Sequence, residues 1–121
     1  MLFRSQAEIQ RKPPPTFTGA AAAASGPGQA VTAFMRAARL RNKVALKKLV
    51  TDEMAAELDG PKGAEIIEML ALMIEPGEKV VAVYQTGDIA DVVTIAKSKA
   101  GKSSSKKRLR LINGAWKLSR E

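Results

Sequence analysis

The dipeptide Asn113-Gly114 lies between two short runs of alternating character, residues 109–112 and 115–118. Both central residues of a type I′ turn need positive φ, which Asn and Gly tolerate best, so the pair marks a two-residue β-hairpin. That loop length sets the register. Ile112 falls opposite Ala115, Leu111 opposite Trp116, Arg110 opposite Lys117 and Leu109 opposite Leu118. Leu109, Leu111, Trp116 and Leu118 then share a core face, while Arg110 and Lys117 share the other. Two like charges across a strand pair cost free energy, so the second face is expected to be wet or matched by an acid.

Upstream, the hydrophobic period is helical until Pro76-Gly77 and extended after it. Val31, Phe34, Met35 and Ala38 recur at helical spacing, with Arg36, Arg39 and Arg41 opposite. A break near Asn42-Lys43 precedes a second stripe, Leu46, Leu49 and Val50. Thr51 or Asp52 is placed to cap a following turn that Gly60-Pro61 stops. The helix expected from about Lys62 to Ile74 is apolar around most of its circumference, which predicts burial against more than one neighbour. From Glu78 the chain reads as strand, with a turn at Gly87-Asp88 and alternation from Ile89 to Lys97. Ser98–Lys107, rich in serine and lysine, reads as a mobile loop. Residues 1–27 contain Pro13-Pro14-Pro15 and a short alanine run, and read as a flexible leader or linker. The expectation is an α+β domain over residues 28–121, with N-terminal helices packed on a mainly antiparallel sheet.

At 121 residues with 45% hydrophobic content the chain suits one mainly aliphatic core. It contains neither cysteine nor histidine. Thiolate chemistry, disulfides, hydrolytic triads and ordinary zinc sites therefore fall away, and no motif calls for a metal or cofactor. No run approaches the ~20 apolar residues of a membrane span. MLFRSQAEIQ lacks the apolar region of a secretory signal, so the sequence as written is expected in the cytosol, or exported if a leader has been removed. The net charge of +8 divides into a basic block over 1–51, an acidic block over 52–91 and a basic block over 92–121. These blocks can neutralise one another within the fold, or leave a basic face for an anionic partner.

Together these elements, ending in RLRLINGAWKLSRE, resemble the nuclear-transport-factor-two-like superfamily, in particular its small bacterial non-enzymatic branch. GQAVTAFMRAARLRNKVALKKLV is similar to that branch's opening helix, GDIADVVTIAK to one of its strands and GAWKL to its closing strand. The resemblance implies a cone-shaped α+β fold whose curved sheet cups the helices around a pocket. Catalytic relatives place an acid–base residue there, often Asp, His or Tyr. In this chain Tyr84, Asp88 and Asp91 are the strand polar groups available, and Asp91 is in phase with Ile89 and Val93. An inward Asp91 would act as a base with a raised pKa, whereas an Asp91 near a turn or paired with a lysine of the next strand would be structural.

Three functions follow. The first is a non-catalytic binding domain for a protein or a small apolar ligand, or one that dimerises through its sheet, with pocket candidates Phe34, Leu70, Tyr84, Asp91 and Trp116. The second is anion or nucleic-acid binding by the basic segment 97–110, through Lys97, Lys99, Lys106, Lys107, Arg108 and Arg110, with Lys117 alongside. That segment holds no aromatic residue for base stacking, which counts against nucleic acid. The third is a small isomerase or lyase using Asp91, with Tyr84 as hydrogen-bond donor.

Overall fold

A computed structural model of the chain describes residues 14–98 and 101–119, with Ser98 described in its backbone alone. In chain order its elements are β1 (Phe17–Thr18), α1 (Gly19–Ala24), α2 (Gly26–Arg39), α3 (Lys43–Leu49), α4 (Asp52–Asp59), α5 (Gly63–Met73), β2 (Lys79–Thr86), β3 (Ile89–Ser98), β4 (Gly101–Ile112) and β5 (Ala115–Leu118). The strands form one sheet in the order β1-β2-β3-β4-β5, every neighbour antiparallel. The protein is α+β, with helices packed on an antiparallel sheet.

The β4–β5 hairpin has the register its turn dictates: Ile112–Ala115, Leu111–Trp116, Arg110–Lys117 and Leu109–Leu118. Asn113 and Gly114 both have positive φ, 51° and 80°. Leu109 and Leu118 are buried, and Trp116 packs against the core from its edge. The expected loop over Ser98–Lys107 is strand at every described residue. Ser98 and Gly101 through Lys107 are strand, laddered to β3 from Ser98–Gly101 through Val92–Lys107. Serine and lysine side chains suit water, but a ladder asks only for backbone N–H and C=O, and the β-branched run of β3 supplies the partner strand. The side chain of Lys99 lies outside the described residues.

Nor does the folded part begin at Gly28. Phe17 pairs with Val83, Ala22 of α1 is fully buried, and α1 packs on β2. A five-alanine run is too short to hold a helix alone, so α1 owes its existence to this packing. Ser25 joins it to α2: its hydroxyl donates to the Ala22 carbonyl (2.7 Å) and accepts the Gly28 N–H (3.1 Å). Trp116 lies so close to Gly26 that a Cβ there would stand 2.9 Å from its Cδ1. These contacts make α2, not α5, the central helix. Val31 and Ala38 are fully buried on it, with Phe34, Met35 and Ala37 close behind, and it touches β2, β3 and β5.

The helix at Gly63–Met73 is the outer one. It packs on α2 and α4, burying Ile67 and partly burying Ile66 and Leu70. Met69, Leu72 and Met73 are 53%, 75% and 68% exposed, against the expectation of burial all round. The sheet is already covered by α1 and α2, so α5 has one apolar neighbourhood to fill where its sequence would suit two. Arg41 ties α5 to the α2–α3 corner through two bonds to Glu68, from Nη2 (2.7 Å) and Nε (2.8 Å).

Where α2 crosses α1, a Cβ on Gly28 would stand 1.9 Å from the Ala22 carbonyl oxygen. Gly28→Ala is therefore expected to cost about 1–3 kcal/mol, the usual penalty of an overpacked core. The urea midpoint reports it, and an unchanged midpoint would contradict the α1–α2 contact.

Candidate functional site

Side chains alternate between the two faces of a strand, and on β3 the division is sharp. Ala90, Val92, Thr94 and Ala96 are buried beneath the helices, whereas Ile89, Asp91, Val93, Ile95 and Lys97 occupy the opposite face. The ladder registers extend that second face across the sheet in rows. Thr86, Ile89, Arg110 and Lys117 form one row, Tyr84, Asp91 and Arg108 the next, then Ala82, Val93 and Lys106. Lys79, Ile95 and Ser104 follow, and Lys97 with Lys102 ends the series. Lys79, Lys97, Lys102, Lys106, Arg108, Arg110 and Lys117 thus share a face with the single strand carboxylate Asp91. A depression of about 570 Å³ lies at its centre, lined by Tyr84, Thr86, Ile89, Asp91, Val93, Lys106 and Arg108.

Asp91 is the fixed point of this face. Its two carboxylate oxygens accept from Arg108 Nε (2.8 Å) and Nη2 (3.0 Å), a planar two-bond pair across adjacent strands. The Arg108 hydrogen bonds hold the Asp91 carboxyl below its ordinary value and outweigh its partial burial. A carboxylate held charged in this way is a poor general base near neutrality. The pairing also corrects the inward placement of Asp91. Its phase with Ile89 and Val93 is right, but that phase faces away from the helices.

The two faces treat neighbouring lysines in opposite ways. Lys106 is exposed, opposite Val93. Lys107 points to the helix side, where its Nζ donates to Glu78 Oε2 (3.1 Å) and Ser105 Oγ (2.8 Å), so it leaves the set of anion-binding candidates. Glu78 is 6% exposed in its side chain and also accepts the Thr94 hydroxyl (2.6 Å) and the Glu75 N–H (3.1 Å). Burial alone would raise the Glu78 carboxyl, but the bonds from Thr94, Glu75 and Lys107 together hold it below its usual value. Thr94, fully buried, also stands 3.1 Å from Ser105 Oγ. The sequence reading missed Glu78 and Thr94. Their only signals are a lone acid at a strand entry and a threonine in the buried phase.

The five pocket candidates do not meet. Phe34, Leu70 and Trp116 belong to the helix side, while Tyr84 and Asp91 lie on the open face. A second cleft, about 510 Å³, opens between α2 and the α5–β2 connection. Arg36, Arg39, Glu75 and Glu78 line it beside Met35 and Ile74, so its charge is mixed. Among the described residues no group of His, Cys, Asp and Glu could hold a metal ion, and no helix is long and apolar enough to cross a membrane. The chain matches no model of a known protein family and no curated protein.

The charge blocks divide between mutual neutralisation and a remaining basic face. Lys43 and Lys47 both pair with Asp59, Arg41 pairs with Glu68, Lys107 with Glu78 and Arg108 with Asp91. Lys97, Lys102, Lys106 and Lys117 have no carboxylate within pairing distance among the described residues.

Thr94→Val keeps the shape of the side chain but removes a donor from a buried carboxylate, and is expected to cost about 1–3 kcal/mol by denaturant titration. Glu78, with a folded-state value below its ordinary 4.5, contributes stability that is complete above that pH and lost as pH falls through the folded value. Melting temperature should fall on acidification below about pH 4.5, and less steeply in Glu78→Gln. Equal acid limbs in the two proteins would remove Glu78 from this role.

Proposed function

We propose that the chain is a non-catalytic binding domain that takes a polyanionic partner on the face of its sheet that no described helix covers. One observation carries the reading: the ladder registers gather cations from β2, β3, β4 and β5 onto one face that holds a single, already paired, strand carboxylate. On β4 the cations Lys102, Lys106, Arg108 and Arg110 recur at even spacing, so successive charges stand about 7 Å apart along the strand, with one step doubled at Ser104. A linear polyanion can neutralise several of these at once, and each contact releases a counterion.

The catalytic alternative finds less support, because Asp91 is held charged by Arg108 on the face turned away from the described helices. The helix-then-meander order supports the resemblance to the nuclear-transport-factor-two-like superfamily, whose non-enzymatic members agree with a binding role. An apolar pocket between helices and sheet finds less support, since its candidate residues divide between the two faces.

Full-length protein is expected to bind a sulfated glycan such as heparin at low salt, with affinity falling linearly in the logarithm of salt concentration. Lys102→Glu combined with Lys106→Glu should weaken binding at least about tenfold. Lys43→Glu with Lys47→Glu changes net charge equally on the helix side and should weaken it much less. Equal losses in the two variants would mean that net charge, and not this face, binds.

A further inference from the structure

We infer that the polyanion matched to this face is a single-stranded nucleic acid, with phosphates along β4 and a base stacked at Tyr84 and Arg108; the inference rests on the binding role just proposed. Charge alone does not choose among polyanions, but the centre of the face does. The aromatic residue that the segment 97–110 lacks is supplied by β2: Tyr84 is the cross-strand neighbour of Asp91, which is the cross-strand neighbour of Arg108. The two sit in one row at the depression, with Ile89, 38% exposed, and Val93 beside them.

Arg108 has a particular place in this row. Asp91 occupies its Nε and Nη2, so the guanidinium is held in one plane and two of its donors are turned from solvent toward the protein. A guanidinium fixed in this way offers a flat cationic face, which suits a base better than a phosphate. The phosphate contacts fall to Lys102 and Lys106 on β4 and Lys117 on β5. A sulfated glycan or an acidic peptide would use those lysines but has no need of an aromatic and apolar centre. A duplex shows its bases only at the groove edges and keeps their flat faces stacked inside, so it offers Tyr84 no base face to stack on. An unpaired strand can lay its bases flat on the row.

Fluorescence anisotropy of a labelled mixed-sequence single-stranded oligonucleotide at low salt tests the inference, with the duplex of the same sequence, heparin and anionic phosphatidylserine vesicles alongside. Full-length protein should bind the single strand more tightly than the duplex. Tyr84→Ala should weaken single-strand binding about 5- to 150-fold, the value of one stacked base, and leave heparin binding unchanged. Tyr84→Phe should keep most of the affinity, which separates stacking from a loss of fold. The inference is overturned if Tyr84→Ala weakens neither ligand or both alike, if the duplex binds as tightly as the single strand, or if only vesicles bind. If heparin and every nucleic acid fail to bind the unaltered protein, the binding role itself falls.

Discussion

The two-residue period of the β3–β4 ladder decides what every other part of this protein can do. Because successive side chains of a strand leave on opposite faces, Lys106 and Lys107 have different fates although they are neighbours in sequence. One is exposed beside Val93, and the other reaches a buried carboxylate beneath the helices. A slip of one residue would carry Arg108 and Lys106 into the core and Leu109 into water, a change of many kcal/mol in burial terms. Leu109, fully buried opposite Ala90 and Leu118, fixes the phase from within.

The helices cover one face of the sheet. Ala90 and Val92 on β3, with Val80, Val83, Leu109 and Leu118 on the other strands, share one buried core with Ala22 of α1 and Val31, Phe34, Met35 and Ala38 of α2. The helix α5 lies outside α2 with its methionines exposed. The Glu78–Thr94–Ser105–Lys107 network is the polar part of the same layer. It places a charged pair at the margin of the core with its hydrogen bonds satisfied, so that a lysine in the buried phase of β4 is tolerated.

Local signals were legible in the sequence wherever they fixed backbone geometry. Asn113-Gly114 gave turn and register together, and the stripe Val31–Phe34–Met35–Ala38 gave the inner face of α2. Alternation along β3 also separated its faces correctly, but it could not say which one the helices cover. Ile89, Val93 and Ile95 look the more hydrophobic set, yet they face outward, because the face is fixed for the whole sheet by Val80, Val83, Leu109 and Leu118 on the neighbouring strands. For the same reason Asp91 was placed in the right phase and on the wrong side. The strand at Gly101–Lys107 and the helix Gly19–Ala24 were not legible, since each is stabilised by a partner and not by its own side chains, the neighbouring strand β3 for one and the distant strand β2 for the other. The proposed binding face was half legible: the cations are a visible cluster, but Tyr84 joins them only through the register of β2.

The account depends most directly on the opposite exposure of Lys106 and Lys107, which acylation footprinting of the unaltered protein can read by mass spectrometry. Lys106, Lys102 and Lys97 should react quickly and Lys107 slowly, and a single-stranded oligonucleotide should protect Lys106 and Lys102 without changing Lys107. Equal reactivity of Lys106 and Lys107 would contradict the phase of the ladder and the proposed binding face built on it, and protection centred on Lys43 and Lys47 would contradict that face alone.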